Sequence, residues 1–456
     1  MKHDVVVVGS GVAGYPAAIM LARRGLKVAV VEEHYLGGEC TNYGCVPSKA
    51  FYHVAEAART VRKVGGSAEL PWESIVEWSN SMVEAARQGI EYLFESYGVK
   101  VYNGKGVIKE GKRVKVKNGE NVEIEAEKVL LALGTDPRPL PGLEFDGKLV
   151  VSNREIFQMR ERPGSLAIVG GGVIGVEVAN ALANLGVEVT VVEKTNQILP
   201  FLDSDVAQAI RGHLKRRGVN VLEGVEIAGV ERGESGVRLK LSDGKEIAVD
   251  KVLVAVGRVP KTSGVNLENV GVELDSAGFV KVSPRLETSV PGIYAAGDVV
   301  GGPLLAHKAM VESMIASKNI VGKEAHNIDY RLVPLTIFTG LEVAYVGYTE
   351  KELSRLGIKY VRYKVPLNFL SAVKIKDGSY SFIKMLVSED SSRVYGVHIV
   401  APNASEVISA FIPVVIGKMM FEDVSQLPYP HLTVGEALRE IALLMLGEPV
   451  HILVRK

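Results

Sequence analysis

The chain has 456 residues, of which 47% are hydrophobic and 23% charged, a composition typical of a globular protein with two to four domains. Lys and Arg number 53, as do Asp and Glu, and this balance excludes nucleic acid or an anionic membrane as the main electrostatic partner. The charge-free residues 5–22 contain three glycines and a proline, so they indicate a buried strand, loop and helix, not a signal peptide or membrane span. We therefore expect a cytoplasmic, reducing location.

Two stretches of the sequence repeat one plan. Residues 5–32 run from an apolar strand through the glycine loop GSGVAG to a helix and a second strand that ends at Glu32. Residues 165–193 repeat this with GGGVIG and Glu193, and in both copies the acid lies 23 residues after the first glycine. Such glycines permit a tight turn, close approach to a pyrophosphate and helix–strand packing, while the acid binds a ribose. The repeat predicts two bound dinucleotides, held by Gly9, Gly11, Gly14 and Glu32 and by Gly170, Gly172, Gly175 and Glu193.

Each repeat closes with a matching strand, VLLALG or VLVAVG, and we expect the terminal Gly134 and Gly257 to lie at the cofactors. After Arg331 the pattern changes to short β-rich runs such as SFIKMLV, which predict an antiparallel sheet. Residues 407–420 and 434–446 have helical patterns. The sequence therefore predicts a third domain without a phosphate loop.

The only two cysteines, Cys40 and Cys45, lie in the segment GGECTNYGCVPSKA. In a reducing compartment a close pair of thiols is typically catalytic, redox-sensing or metal-binding.

Together these motifs resemble the pyridine nucleotide–disulfide oxidoreductase family over essentially the full chain. The family pattern has a glycine loop for FAD, a CxxxxC disulfide, a glycine loop for NAD(P), a TxxxxIYAxGD segment and a C-terminal HxxxxE motif. The last two occur here as TSVPGIYAAGD, ending at Asp298, and as His431 with Glu436. The resemblance implies an α/β fold with two Rossmann-like domains, for FAD and NAD, and a C-terminal α+β dimerisation domain. It implies a homodimer with an FAD domain at 1–145, an NAD domain at 146–272, a return segment of the FAD domain at 273–326 and an interface domain at 327–456.

Within the family, GDVVGGPLLAHKA at residues 297–309 is most similar to the dihydrolipoamide dehydrogenases. That similarity implies oxidation of dihydrolipoamide on a lipoyl-bearing protein of a 2-oxoacid dehydrogenase or glycine cleavage system. It places Asp298 at the ribityl chain of FAD, Ala306 near the flavin, and Lys49 and Glu177 in an ion pair beside it. Thr41 and Tyr43 between the cysteines and Leu432 after His431 depart from the usual pattern, which leaves another small disulfide, a quinone or oxygen open as the acceptor.

The same resemblance assigns the catalytic roles. Cys40 faces the substrate, Cys45 lies against the flavin, and His431, oriented by Glu436, moves the thiol proton.

The spacing of the two cysteines also predicts the local structure. A regular helix rises about 7.5 Å over five residues, whereas bridged Cα atoms lie roughly 4.4–6.8 Å apart, so we expect a distorted turn opening a helix, with Gly44 allowing that geometry. A metal site, two inert thiols, a structural bridge and an inactive flavin-binding scaffold are the alternatives, and no metal is expected because few further ligands lie nearby.

Overall fold

The computed structural model describes residues 1–323, 327–390 and 393–453. The chain forms two compact units. The first unit comprises Met1–Phe51, Glu69–Arg162 and Val256–Tyr330, and the second comprises Tyr52–Ala68, Pro163–Ala255 and Arg331–Lys456. The domain boundaries expected after 145 and 272 stay predictions, and the one at 326 falls outside the described residues.

The strands, in chain order, are β1 (Lys2–Val8), β2 (Val28–Glu32), β3 (Lys100–Asn103), β4 (Lys105–Lys109), β5 (Arg113–Lys117), β6 (Glu123–Leu131), β7 (Thr135–Pro137), β8 (Val150–Val151), β9 (Ser165–Val169), β10 (Glu188–Glu193), β11 (Asn220–Glu223), β12 (Ile227–Arg232), β13 (Val237–Leu241), β14 (Glu246–Val249), β15 (Lys251–Val254), β16 (Arg258–Pro260), β17 (Ile293–Ala295), β18 (Leu335–Ile337), β19 (Val343–Gly347), β20 (Val361–Pro366), β21 (Phe382–Val387) and β22 (Val394–Val400).

The helices are α1 (Gly14–Ala22), α2 (Gly38–Asn42), α3 (Cys45–Lys63), α4 (Trp72–Ser96), α5 (Asn153–Ile156), α6 (Val173–Asn184), α7 (Ser204–Arg216), α8 (Ala306–Ile320), α9 (Glu350–Arg355), α10 (Ser371–Ile375), α11 (Ala404–Val407), α12 (Ile412–Val415), α13 (Phe421–Gln426) and α14 (Ala437–Met445).

The first unit is built on a sheet with the order β3-β2-β1-β6-β5-β4, and β17 also pairs with β6. Strands β3, β2, β1, β6 and β17 run parallel, whereas β4 and β5 form an antiparallel hairpin on β6. Residues 5–8 of β1 are all buried, because both faces of the parallel sheet are covered. The expected strand, loop and helix at residues 5–22 are thus confirmed.

The second unit contains the repeat of this plan, with parallel strands in the order β11-β10-β9-β15 and an antiparallel sheet β12-β13-β14. Its C-terminal part is the antiparallel sheet β18-β19-β22-β21-β20, with a core of its own that includes α14. The expected third domain with an antiparallel sheet is therefore confirmed. The helix expected over residues 407–420 is instead broken into α11, a 3₁₀ turn Ile408–Phe411 and α12, which fits the missing N–H of Pro413.

The segments that follow the two closing strands, β6 and β15, pair with each other inside the first unit. Strand β7 lies antiparallel to β16, with Thr135 opposite Pro260 and Pro137 opposite Arg258. We call these two strands the ribbon; it joins the equivalent positions of the two sequence repeats. Among the described residues, no helix combines the length and the apolar character that crossing a bilayer would require.

Candidate active site

The two cysteines form a disulfide, with their Cα atoms 4.7 Å apart. Cys40 lies within α2 and Cys45 is the first residue of α3, so the bridge joins two helices. The expected distorted turn that opens a helix is present at residues 43–44, ahead of α3, and Cys40 lies in a short helix of its own before that turn. Gly44 lies at the break, where a Cβ atom would stand 3.2 Å from the carbonyl oxygen of Glu39 and 3.4 Å from the Cα atom of Cys40. The close approach of the two helices therefore favours glycine at this position.

The two ribose-binding candidates brace their own glycine loops in the same way. Glu32 is buried and accepts hydrogen bonds from the backbone N–H and the hydroxyl of Ser10, at 2.8 and 2.6 Å. Glu193 is buried and accepts from the N–H of Gly171 at 2.7 Å and from the N–H and hydroxyl of Thr195, both at 2.8 Å. Because a carboxylate has about four acceptor positions, each can still accept from a ribose hydroxyl.

The glycine loops leave room for a phosphate where the motif requires it. A Cβ atom on Gly14 would lie 1.9 Å from the carbonyl oxygen of Gly9, and one on Gly175 would lie 2.0 Å from that of Gly170. By contrast, a Cβ on Gly172 would meet nothing within 4 Å, and one on Gly11 only the Cα of Gly38, at 3.9 Å. The third glycine of each loop is thus fixed by packing and the middle one faces open space, which fits a dinucleotide in each loop.

Asp298 begins the 3₁₀ turn Asp298–Val300, and one of its carboxylate oxygens accepts a hydrogen bond from the Thr135 hydroxyl at 3.1 Å. An ion pair of fully buried side chains, Lys308 and Glu312 on α8, encloses this turn. The Lys308 ammonium donates to the carbonyl oxygens of Gly297 and Gly301, at 3.0 and 2.8 Å.

Glu312 completes the enclosure, accepting from the Gly297 N–H and from the Tyr330 hydroxyl, both at 2.7 Å. Burial raises the pKa of Glu312, although Lys308 opposes that rise. Sequence reasoning missed both residues, although a Lys and a Glu four positions apart in a helix otherwise rich in small and apolar residues are a readable signal. Ala306, an expected flavin neighbour, is the first residue of the same helix.

His431 and Glu436 lie together in the C-terminal part of the second unit. The Nδ1 atom of His431 lies 3.1 Å from a carboxylate oxygen of Glu436, and the imidazole is 83% exposed. The other oxygen accepts from the N–H groups of Leu432 and Thr433, at 3.0 and 3.3 Å. Partial burial would raise the pKa of Glu436, but the hydrogen bonds from His431 and the backbone lower it overall. A carboxylate that holds Nδ1 leaves Nε2 available for proton transfer.

The remaining candidates occupy different places. Glu177 lies on α6 and accepts from the N–H of Phe338 at 2.9 Å, so it anchors the segment before β19, a role that sequence reasoning missed. Lys49 lies on α3, and its ion pair with Glu177 stays a prediction. Gly134 and Gly257 immediately precede the two strands of the ribbon, with φ angles of 71° and 118° that favour glycine.

Comparison with known proteins agrees with this arrangement. The family model described as pyridine nucleotide-disulphide oxidoreductase matches residues 3–313, and the dimerisation domain of the same family matches residues 333–442. Dihydrolipoyl dehydrogenase 1, mitochondrial, from Arabidopsis thaliana is 35% identical over 99% of this chain and 92% of its own length. The dihydrolipoyl dehydrogenase of Thermus scotoductus is 36% identical over 99% of both chains.

Among solved structures, LpdA from Mycobacterium tuberculosis superposes with a TM-score of 0.89 and 29% identity, over 96% of this chain and 99% of that one. The expected fold of two Rossmann-like domains and a C-terminal dimerisation domain is confirmed. The chain therefore belongs to the pyridine nucleotide-disulphide oxidoreductase family, as an enzyme that uses FAD and NAD(H).

Proposed function

We propose that the enzyme oxidises dihydrolipoyl groups on a carrier protein with NAD⁺, through the Cys40–Cys45 disulfide. The main structural support for this proposal is the disulfide itself. Cys45 begins a 19-residue helix, in the unit that also contains the first glycine loop. The named activity of the relatives, dihydrolipoyl dehydrogenase, supports the choice of substrate.

In this proposal the two thiols have separate tasks. A substrate thiolate attacks the sulfur of Cys40, the Cys40–Cys45 bond breaks, and Cys45 leaves as a thiolate that the N-terminus of α3 stabilises. The second substrate thiol then displaces Cys40, which releases the cyclic disulfide and leaves both protein cysteines reduced. Bound at the first glycine loop and Asp298, FAD would supply the acceptor for the two electrons of the reduced pair, and NAD⁺ bound at the second loop would supply the hydride acceptor.

Proton transfer is assigned to His431. Its Nε2 atom accepts the proton from the attacking substrate thiol, and Glu436 fixes the ring through Nδ1 and stabilises the resulting imidazolium. The matched dimerisation domain and the 83% exposure of this imidazole support a homodimer in which His431 of the partner subunit serves the disulfide. We further propose a cytoplasmic location, where a reducing medium suits a disulfide that opens at every turnover.

The function is tested by an acceptor screen on the purified holoenzyme. With NADH as donor, we expect kcat/KM for lipoamide to be at least about tenfold higher than for glutathione disulfide, quinones or oxygen. With NAD⁺ as acceptor, dihydrolipoamide should support the forward reaction. Faster turnover of a quinone or of another disulfide would reject the lipoyl assignment.

The shared site is tested separately by mixing two inactive variants, Cys40→Ala and His431→Ala, by co-expression. In a mixed dimer one site keeps both groups and the other lacks both. Random pairing makes about half of the dimers mixed, so about a quarter of all sites should be active. Mixed dimers without activity, identified by a mass tag, would show that each site is built from a single chain.

A further inference from the structure

The residue immediately before the first cysteine is the centre of an ionic cluster. One carboxylate oxygen of Glu39 accepts a hydrogen bond from the Asn153 amide at 2.8 Å and lies 3.1 Å from Arg258. The other accepts from the Nε and Nη2 atoms of Arg154, at 3.0 and 2.8 Å. Arg154 also donates to Asp136 on the ribbon, at 2.6 Å. Both carboxylate oxygens of Glu39 are thus held by cations.

The cluster extends from Glu39 to the turn that carries Asp298. The Nε atom of Arg258 donates to the hydroxyl of Thr135 at 2.7 Å, and its Nη2 atom donates to the Thr135 carbonyl at 2.8 Å. That hydroxyl in turn donates to Asp298 at 3.1 Å. One guanidinium, on the ribbon, therefore lies between the segment of the disulfide and the predicted flavin ligand.

The Glu39 carboxylate is ionised and largely enclosed. Its side chain is 27% exposed and that of Arg258 12%. Burial would raise the pKa of Glu39, but Arg258, Arg154 and Asn153 together lower it. Burial would likewise lower the pKa of Arg154, but its contacts with Glu39 and Asp136 raise it overall. A charge-assisted, multiply hydrogen-bonded pair fixes geometry more tightly than an exposed ion pair does.

Helix α2 needs such an anchor. It has five residues, too few for a helix to persist by its own backbone hydrogen bonds, and it is followed by the break at Gly44. Asn42 supplies a second anchor by donating to the carbonyl oxygens of Leu36 and Gly38, at 3.0 and 2.8 Å. Glu39 is the residue that ties the helix to the ribbon.

We propose that Glu39 is a positioning residue for the redox disulfide: through Arg258 and Arg154 it sets where Cys40 and Cys45 lie relative to the flavin site at Thr135 and Asp298. The inference rests on the family's use of FAD and on the role proposed for Cys45.

The experiment compares Glu39→Ala, Arg258→Met, the double variant and a control, Glu123→Ala. The control removes an exposed ion pair of the same unit, in which Arg113 lies 2.9 Å from Glu123. Three readouts report position: the long-wavelength charge-transfer absorbance of the reduced holoenzyme, the rate at which dithiothreitol reduces the disulfide, and the rate at which iodoacetamide alkylates Cys40. Flavin reduction by NADH and the melting temperature are recorded beside them.

We expect Glu39→Ala to lose more than about half of the charge-transfer absorbance and to slow reduction by dithiothreitol by about tenfold. The alkylation rate of Cys40 should change at least about threefold, while flavin reduction by NADH stays within about twofold. Arg258→Met should shift the absorbance and the alkylation rate in the same direction. The double variant should fall short of the sum of the two single changes, because Glu39 and Arg258 share one contact, while Glu39 also keeps its contact with Arg154. Glu39→Asp should recover part of the absorbance, and Glu123→Ala should match the wild type.

A melting temperature that falls while absorbance, alkylation and dithiol reduction stay unchanged would overturn the proposal, as would additive effects of the two substitutions. If Glu39→Ala is isolated without FAD, the alkylation rate of Cys40 is compared between the apoproteins of the wild type and the variant. Equal rates in these two apoproteins would also overturn the proposal. Because none of the three readouts uses a lipoyl substrate, failure of the wild type to reduce lipoamide would reject the proposed function alone.

Discussion

Replacing Lys308 by Met should weaken FAD binding, because it removes the only ammonium described as donating to the carbonyl oxygens of Gly297 and Gly301. Both charges of the Lys308–Glu312 pair are fully buried, and breaking such a pair typically costs about 3–5 kcal/mol. Burial already raises the pKa of Glu312, so that carboxyl can take up a proton and keep the cost near the lower limit. About 3 kcal/mol, if it falls wholly on the turn that carries Asp298, corresponds to a Kd for FAD roughly 150-fold weaker.

The assay is a fluorescence titration of the apoprotein with FAD, with its melting temperature recorded alongside. Lys318→Met, on the same helix but outside the pair, is the matched control and should bind FAD normally. In Lys308→Met/Glu312→Leu no charge is left unpaired, although the Gly297 N–H and the Tyr330 hydroxyl lose their acceptor, so the melting temperature should recover in part while FAD affinity stays low. Wild-type affinity in Lys308→Met would refute the reasoning, and so would a double variant that regains stability and affinity together.

Four further predictions concern other parts of the molecule. His213 is buried, its Nε2 atom lies 3.0 Å from the Asn180 side-chain oxygen, and burial and nearby arginines lower its pKa to about 3. Because this histidine takes up a proton near pH 6.5 only in the unfolded chain, the free energy of unfolding should fall by about 2 kcal/mol from pH 7 to pH 5. Urea titrations of His213→Gln should lack that fall. Leu432 has a φ of 61°, so Leu432→Gly should stabilise the His431 loop by about 1 kcal/mol, seen as a raised melting temperature, whereas Leu432→Pro should abolish turnover. Reduced Cys40→Ala should keep a charge-transfer band between the Cys45 thiolate and the flavin and Cys45→Ala should lose it; the opposite result would exchange the roles of the two thiols. Since Glu193 repels a 2′-phosphate, kcat/KM should favour NADH over NADPH, and steady-state kinetics showing equal values would contradict that role.

The fold could be predicted from the sequence because its signals are local. The buried run at residues 5–8, the glycine loop and the acid at Glu32 lie within one supersecondary unit, and the repeat at Gly170–Glu193 supplies an independent copy. Apolar runs marked the strands of the C-terminal sheet for the same reason. The pairing of Cys40 with Cys45 was also within reach, since only two cysteines exist.

The supports of the site could not be predicted, because they depend on contacts between residues far apart in the sequence. Glu39 and Arg258 are 219 positions apart, and neither a turn signal nor a period connects them. Lys308 and Glu312 are close in sequence, but only the packing of α8 against the turn at Asp298 shows that their charges are buried. Glu177 was assigned to the flavin by resemblance, whereas its bond to the N–H of Phe338 depends on where the third domain's chain passes α6.

The ribbon shows that the first third of the chain does not contain all the strands of the first unit. Strand β7 follows the first closing strand, but its partner β16 follows the second, after the whole second glycine-loop domain has been made. The chain then returns to supply β17 beside β6 and Asp298 in the turn beyond it. A fragment ending at 145 would therefore lack Arg258, the cation that contacts both Glu39 and Thr135, as well as the carboxylate expected to bind the flavin. The disulfide segment and the cofactor site both contact the guanidinium of Arg258, which comes from the second half of the chain. Ordering of Cys40 and Cys45 and binding of FAD should therefore both depend on the pairing of β7 with β16.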